Sequence, residues 1–204
     1  EYKHLPVLIP KVYDIDWIKE FLVHLGINFI IFDSNKKIRV KKIIIPSYTA
    51  PSGNFHNTSI HELRNSLFEM SSSKTKTKDN YERVWICMSK HRRPVRNIDE
   101  IRPILKKYNF KEVVFESLSL VEKLNLMKNV NILAGAHSSG LTNMLFMEKG
   151  SKVVDIRDPK DNIKNAFFSL ASELDLDYYY MEREDKNYTV IDPKKLEYLL
   201  SSVT

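Results

Sequence analysis

Apolar and polar positions follow two different periods along the chain. Short apolar runs of strand length, such as residues 43–45 and 84–86, alternate with segments whose apolar side chains recur every three or four residues. Residues 16–25, with apolar side chains at positions 17, 18, 21, 22 and 25, show the second spacing, which is typical of an amphipathic helix. Strands that alternate with helices in this way predict an α/β fold, with a Rossmann-like parallel sheet covered by helices on both faces.

The periodicity also predicts the individual elements. The predicted strands are residues 7–10, 28–32, 38–46, 83–88, 112–116, 130–134, 152–157 and 178–181. The predicted helices are residues 16–25, 60–70, 99–108, 119–128, 141–147 and 163–174. Ser119, followed three residues later by Glu122, has the pattern of a capping box at the start of one of these helices.

A polar, basic stretch without apolar residues separates two parts of the chain at residues 71–80. Such a composition is typical of a linker, and we place a domain boundary there. Residues 1–70 then form a partial α/β domain, and residues 81–204 form a second, larger one. A length of 204 residues is compatible with this division.

The chain is basic. It contains 32 Lys and Arg residues against 26 Asp and Glu residues, which gives a formal net charge of +6. This excess favours an anionic partner, namely a phosphate-bearing ligand, an anionic membrane surface or nucleic acid.

Cysteine and histidine usage limits the chemistry. Cys87 is the only cysteine, so the chain cannot form an intrachain disulfide or a cysteine-based zinc site. The histidines and carboxylates show no recognised metal-ligand spacing, and we expect no metal. No apolar stretch approaches the length of a membrane span, about 20 residues. We therefore expect a cytoplasmic protein. Any association with a membrane would be a peripheral contact with an anionic surface.

The segment 135–143, with the sequence Gly-Ala-His-Ser-Ser-Gly-Leu-Thr-Asn, joins a predicted strand to a predicted helix. Its small residues allow backbone N–H groups to approach a ligand, and the positive end of the helix adds to an anion site suited to a diphosphate. Ser138, Ser139 and Thr142 can add hydroxyl donors. His137 can donate to a phosphate or to a leaving oxygen. The alternative is an ordinary strand–helix turn with a satisfied histidine.

Three further positions carry candidate chemistry. The basic segment 89–97 follows a strand and can clamp a phosphate, or it is a solvated loop. Glu116 also follows a strand and can accept from a ribose hydroxyl, or it is solvated beside capping serines. His56 lies in a loop and can act as a base facing the cleft, or it is simply exposed.

Residues 84–156 resemble glycosyltransferase family 61, which includes bacterial capsular polysaccharide biosynthesis proteins, plant arabinosyl- and xylosyltransferases and animal O-linked N-acetylglucosaminyltransferases. Ser89-Lys90 stands at the family's Ser-Arg pair, Arg96-Asn97 at its Arg-Asn pair and Glu116 at its acid. Residues 137–143 stand at its His-Gly-Ala-Gly-Leu-Thr-Asn motif. The chain departs from the family in Lys90, where Arg is usual and a bidentate contact is lost, and in Ser138-Ser139, which replaces Gly-Ala.

The resemblance implies an inverting glycosyltransferase of GT-B architecture. Residues 81–204 would be the nucleotide-sugar-binding domain and residues 1–70 part of the acceptor-side domain. The donor would be a UDP-linked sugar, used without cofactor or metal, and the acceptor a glycan or lipid-linked glycan in capsular or other surface polysaccharide synthesis. His137 and His56 would be catalytic. The donor-binding residues would be Ser89, Lys90, Arg93, Arg96, Asn97, Glu116, Ser138, Ser139, Gly140, Leu141, Thr142 and Asn143.

Two other functions compete with this interpretation. The paired serines and the short first segment favour a non-catalytic nucleotide- or glycan-binding module derived from such an enzyme. The basic charge is compatible with a nucleic-acid-binding protein, but the cations lie in one loop without interleaved aromatic residues, so we expect no nucleic-acid partner.

Overall fold

The strands of the protein form two separate parallel sheets. The computed structural model describes residues 2, 4–71, 81–88, 94–159, 165–184 and 189–204. Within them, β1 (Val7–Pro10) and β2 (Phe29–Phe32) pair only with each other. The larger sheet has the order β4-β3-β5-β6-β7, and all of its pairs are parallel. Its strands are β3 (Arg83–Ile86), β4 (Lys111–Val113), β5 (Ile132–Ala136), β6 (Lys152–Arg157) and β7 (Asp177–Glu182).

Helices cover both faces of the larger sheet. They are α1 (Asp16–His24), α2 (Asn57–Ser71), α3 (Ile98–Lys107), α4 (Leu120–Met127), the 3-10 helix Ser139–Phe146, α5 (Ala166–Glu173) and α6 (Pro193–Val203). Successive strand residues point to opposite faces. Accordingly, Val84 packs in one apolar cluster, with α2, α4 and α5, whereas Trp85 packs in the other, with α3 and α6. The prediction of an α/β fold with a parallel sheet is confirmed.

The capping box predicted at the start of α4 is present. The Ser119 hydroxyl accepts from the Glu122 backbone N–H, and the Glu122 carboxylate accepts from the Ser119 N–H at 2.8 Å. Because this arrangement satisfies two N–H groups that the first helical turn leaves unpaired, it fixes where α4 begins after β4.

The strand predicted over residues 38–46 is wrong. These residues lie in an irregular, exposed segment, and Ile45 is 80% exposed. A strand requires a neighbouring strand to pair its backbone groups, and β1 and β2 of the described chain pair only with each other.

Two helices also differ from the prediction. A helix was predicted over residues 141–147, but the structure has a 3-10 helix that begins two residues earlier, at Ser139. Helix α6 was not predicted. It begins after Asp192, whose carboxylate accepts from the Lys194 N–H at 2.8 Å, and it buries Leu196 and Leu200 against the sheet.

The part of the chain before the predicted linker contacts the larger sheet extensively. Helix α2 places Ile60 and Leu67 in the same apolar cluster as β3 and β5. Its Arg64 donates to the carbonyl oxygens of Leu145 at 3.0 Å and Met147 at 2.8 Å. These contacts fix α2 beside the 3-10 helix. The boundary at 71–80 falls almost wholly outside the described residues, and the division into two domains stays a prediction.

Candidate functional site

A large cavity opens at the carboxyl ends of β3, β4 and β5. Its volume is about 1530 Å³. Arg96, Glu116 and the turn after β5 line one side, and Trp17 and Phe21 of α1 line another. Since ligands of open α/β sheets bind at the carboxyl ends of the strands, this cavity is the candidate functional site.

The wall formed by α1 was not predicted as part of the site. Glu20 of α1 accepts from the backbone N–H of Leu120 at 2.8 Å, which ties α1 to the start of α4 across the edge of the cavity. Because this contact joins residues 100 positions apart, no local pattern in the sequence indicates it.

The turn from β5 into the 3-10 helix contributes five residues beyond His137 to the cavity. The N–H of Leu141 makes the first bond of the helix, to the Ser138 carbonyl at 3.0 Å. The N–H groups of Ser139 and Gly140 precede that bond and are therefore available to a ligand. The cavity-lining residues of the turn beyond the histidine are Ser138, Ser139, Gly140, Thr142 and Asn143.

Within this turn, the Ser138 side chain is available to a ligand, whereas the Leu141 side chain belongs to the core. The Ser138 hydroxyl is buried and has no hydrogen-bond partner among the described residues, so a ligand in the cavity can satisfy it. Leu141 is fully buried in the core, where it holds the helix against the sheet. The predicted donor-binding role therefore does not extend to the Leu141 side chain.

Packing requires glycine both near the end of β5, at Gly135, and in the turn, at Gly140. A Cβ atom at Gly140 would lie 2.7 Å from Cγ2 of Ile86, and one at Gly135 would lie 2.8 Å from Cβ of Ile86. Both distances are far below van der Waals contact. The side chain of Ile86 thus fills the space that side chains at these two positions would need.

His137 lies at the end of β5 and is held by a buried carboxylate. Its Nδ1 lies 2.7 Å from Oδ2 of Asp155, and the Tyr178 hydroxyl donates to the same oxygen at 2.5 Å. Asp155 is fully buried. The ring of Phe167 meets the His137 ring edge-on, with 4.8 Å between centroids. Burial and the bond to Asp155 raise the pKa of Tyr178, so the phenol remains a hydrogen-bond donor at neutral pH.

Asp155 and Tyr178 were not predicted as site residues. The sequence carries one signal for Asp155, an acidic residue inside the apolar strand 153–156. Acids are rarely buried without a partner, so such a position indicates a specific contact. The identity of that partner depends on strand order, which places β6 beside β5.

Arg96 and Asn97 have distinct surroundings. Arg96 lines the cavity, and its backbone N–H donates to the Thr189 carbonyl at 2.9 Å. The Asn97 amide donates to the Ile191 carbonyl at 2.7 Å and accepts from the Ile191 N–H at 3.0 Å. Asn97 is not among the cavity-lining residues, and its amide instead anchors the loop that carries Arg96. Ser89, Lys90 and Arg93 lie outside the described residues.

Glu116 is exposed in a short 3-10 turn, Phe115–Ser117, and lines the cavity. Lys123 of α4, which was not predicted, lines the same region. Glu116 thus provides a hydrogen-bond acceptor and Lys123 a cation to the cavity, near the capped start of α4.

His56, unlike His137, lies outside the cavity lining. It precedes α2, where its Nδ1 accepts from the Ser59 N–H at 3.4 Å and lies 3.2 Å from the Ser59 hydroxyl. Its side chain is exposed, and its neighbour Phe55, rather than His56 itself, lines the cavity.

Cys87 follows β3 and is held as a thiol. Its thiol donates to the Glu112 carboxylate at 3.4 Å. Burial, and then this bond, raise the pKa of the thiol to about 12, so the thiolate is scarce at neutral pH.

Metal and membrane-spanning features are not found in the described ranges. There, no group of three His, Cys, Asp or Glu side chains is placed to hold a metal ion. Of the helices described, none combines the length and the apolar character needed to cross a membrane.

The fold and the cavity define an α/β protein with a candidate ligand site at the strand ends. The chain belongs to glycosyltransferase family 61, since the profile of the family described as Glycosyltransferase 61 matches residues 4–154. It is similar to the EGF domain-specific O-linked N-acetylglucosamine transferase of Drosophila melanogaster, with 30% identity over 99 residues. The match covers 47% of this chain and 19% of that relative. The family resemblance seen in the sequence is confirmed.

Proposed function

We propose that the protein is an inverting glycosyltransferase that binds a nucleoside-diphosphate sugar in the cavity at the strand ends and transfers the sugar to a glycan acceptor. The observation that carries the proposal is that three strand ends bring His137, Arg96 and Glu116 to one cavity. Membership of the family supports the reaction class.

Each part of the cavity suits one part of such a donor. The guanidinium of Arg96 and the N–H groups of Ser139 and Gly140 would hold the diphosphate, and Ser138 and Thr142 would add hydroxyls. Glu116 would accept from a ribose hydroxyl. Ser89, Lys90 and Arg93, predicted from the sequence, would extend the cationic side.

Transfer with inversion is a single displacement. The acceptor hydroxyl oxygen forms a bond to the anomeric carbon while the bond from that carbon to the phosphate oxygen breaks, and the diphosphate leaves with the electron pair. Positive groups around the diphosphate stabilise this charge. The imidazolium of His137 would donate from Nε2 to the leaving group. The acceptor proton passes to a base on the acceptor side. His56, which the sequence suggests for this role, is exposed and does not line the cavity.

We propose a GT-B arrangement, in which residues 81–204 bind the donor and residues 1–70 belong to the acceptor side. The name of the similar Drosophila protein makes UDP-N-acetylglucosamine the first donor to test. Synthesis of capsular or other surface polysaccharide is the proposed role.

The competing proposal is a binding module without turnover, and it is motivated by Ser138 and Ser139. Release of sugar to any acceptor or to water would exclude it.

Arg96→Ala is expected to weaken UDP binding roughly 10- to 100-fold, because a charged hydrogen bond to phosphate contributes about 1.5–3 kcal/mol. Isothermal titration calorimetry with UDP measures the change. Arg102→Ala is the matched control, since Arg102 is exposed and paired with Glu112 away from the cavity. Absence of binding by UDP, GDP and CMP sugars at millimolar concentration would contradict the proposed donor site.

The exposed segment 36–48 supports peripheral contact with an anionic membrane. It interleaves five cations with exposed apolar residues, of which Ile45 is 80% and Tyr48 97% exposed. No acidic residue occurs between Asp33 and Glu62. The five cations are Lys36, Lys37, Arg39, Lys41 and Lys42.

The variant Lys41→Glu/Lys42→Glu is expected to weaken binding to vesicles containing phosphatidylserine at least about 30-fold, because each Lys near an anionic surface contributes about 1 kcal/mol. Co-sedimentation measures the binding. Lys106→Glu/Lys107→Glu changes the net charge equally but lies on α3. An equal loss in this control, or equal binding to neutral vesicles, would argue against a specific membrane contact of segment 36–48.

A further inference from the structure

We propose that Asp155 and Tyr178 are positioning residues, which hold the His137 ring with its Nδ1 protonated and its Nε2 on the side of the cavity. The inference rests on the proposed function only in assuming that the cavity holds the diphosphate on which His137 acts. Neither residue touches the cavity that would hold the donor, so their effect on the reaction would pass through His137.

Asp155 occupies a position that stability alone does not explain. It lies in β6, an interior strand of the larger sheet, and is fully buried between Val154 and Ile156. The buried Arg157 follows two residues later and hydrogen-bonds the Tyr178 hydroxyl. A buried carboxylate is costly unless it is hydrogen-bonded, and an apolar residue of similar size is often as stable or more stable. Within the described residues, Oδ2 accepts from both Nδ1 of His137 and the hydroxyl of Tyr178, whereas Oδ1 has no partner. The two donors therefore converge on one oxygen.

Tyr178 orients the carboxylate. It lies on β7, and the register places it two residues before Tyr180, the partner of Asp155 across the strands. Burial and then the bond to Asp155 raise the pKa of its phenol, although Arg157 acts in the opposite direction. At neutral pH the hydroxyl therefore donates to Oδ2 and holds it in place.

The His137 ring is restrained on several sides. Its own backbone N–H continues the ladder to the Ile156 carbonyl at 2.9 Å, and Phe167 packs against the ring edge. With Nδ1–H donated to the carboxylate, proton exchange with a ligand occurs at Nε2. A proton carried by Nε2 can then be given to the leaving diphosphate. Removal of such an orienting group typically changes the tautomer and slows the reaction.

Nitrogen-15 NMR of the histidine-labelled full chain tests the positioning without any activity. The His137 resonances are assigned from their loss in His137→Gln. We expect Nδ1 to be protonated in the wild-type protein and this preference to be lost in the double variant Asp155→Val/Tyr178→Phe. This double variant replaces the polar pair by side chains that suit the strand and its apolar surroundings. A wild-type ring protonated at Nε2 and unprotonated at Nδ1 would overturn the inference, whether or not the variant folds.

Single hydroxyl deletions provide the matched comparison. Tyr178→Phe is expected to speed the exchange of the Nδ1 proton. Tyr179 packs on the opposite face of the sheet, so Tyr179→Phe should leave this exchange rate unchanged. Equal effects of the two substitutions would contradict a role for Tyr178.

Kinetics with UDP-N-acetylglucosamine distinguish this inference from the proposed function. We expect the double variant to lower kcat by at most roughly 10²- to 10⁴-fold, the contribution of a positioned acid or base, with little change in KM. If UDP does not bind the wild-type protein, the proposed function fails while the tautomer measurement still decides the inference. If His137→Gln abolishes turnover but the double variant keeps the wild-type tautomer and kcat, the inference fails and the proposed function stands.

Discussion

Gly140→Ala is expected to destabilise the protein by about 1–3 kcal/mol, the usual cost of an overpacked core position. The added Cβ would lie 2.7 Å from Cγ2 of Ile86, an atom at a branched, buried position that cannot move away freely. Ile86→Ala removes this atom but leaves a cavity, at a cost of about 2–5 kcal/mol by itself. In the double variant the new methyl group occupies part of that cavity. The combined loss should therefore be smaller than the sum of the two single losses.

Gly135→Ala provides the matched control for this cycle. Its Cβ would lie 2.8 Å from Cβ of Ile86, an atom that Ile86→Ala retains. The clash should persist, and the favourable coupling should be much smaller than for Gly140. Urea unfolding of the single and double variants measures both cycles. Coupling of equal size in the two cycles, or additivity in both, would contradict the packing that the structure gives to this turn.

The same contact limits what the sequence could indicate about the turn. Gly140 was interpreted as a position where a backbone approaches a ligand, which is one common reason for glycine at a strand–helix turn. The structure adds a second reason, the approach of Ile86 from the neighbouring strand. Ile86 lies in β3 and Gly140 lies just after β5, and the adjacency of these two strands follows from the sheet order, which periodicity does not reveal.

Local patterns predicted β3, β5 and β6 well because each contains a short apolar run. The strand predicted over residues 112–116 is only partly right, since β4 is Lys111–Val113 and residues 115–117 form a 3-10 turn. The same rule failed at residues 38–46, where the apolar residues are exposed and no strand of the described chain pairs with them. Helix α6 could have been predicted. Asp192 before Pro193 is a helix start, and Leu196, Leu200 and Val203 follow at helical spacing.

The residues of the candidate site likewise fall into those that the sequence predicted and those that only the fold brings together. Residues 137–143 are contiguous, so their chemistry was visible in one segment, and Arg96 and Glu116 follow strands that end at the same edge. Asp155 and Tyr178 are 18 and 23 residues from their partners, His137 and Asp155 respectively. Their contacts arise only when β5, β6 and β7 lie side by side.

His137→Gln is expected to lower the rate of sugar transfer roughly 10²- to 10⁴-fold, the usual contribution of a positioned acid or base. Glutamine is similar in reach but cannot exchange a proton with the leaving group. Arg96 and the N–H groups of the turn remain in this variant, so the affinity for UDP should change much less than the rate. Initial rates with UDP-N-acetylglucosamine, and calorimetry with UDP, measure the two quantities.

His56→Asn separates the two candidate catalytic histidines. Asparagine is among the best residues before a helix, so it can keep the bond to the Ser59 N–H and preserve the start of α2. Because the His56 side chain is exposed and does not line the cavity, we expect a much smaller loss of rate than for His137→Gln. A loss as large as that of His137→Gln, with α2 intact by circular dichroism, would instead assign the acceptor proton to His56.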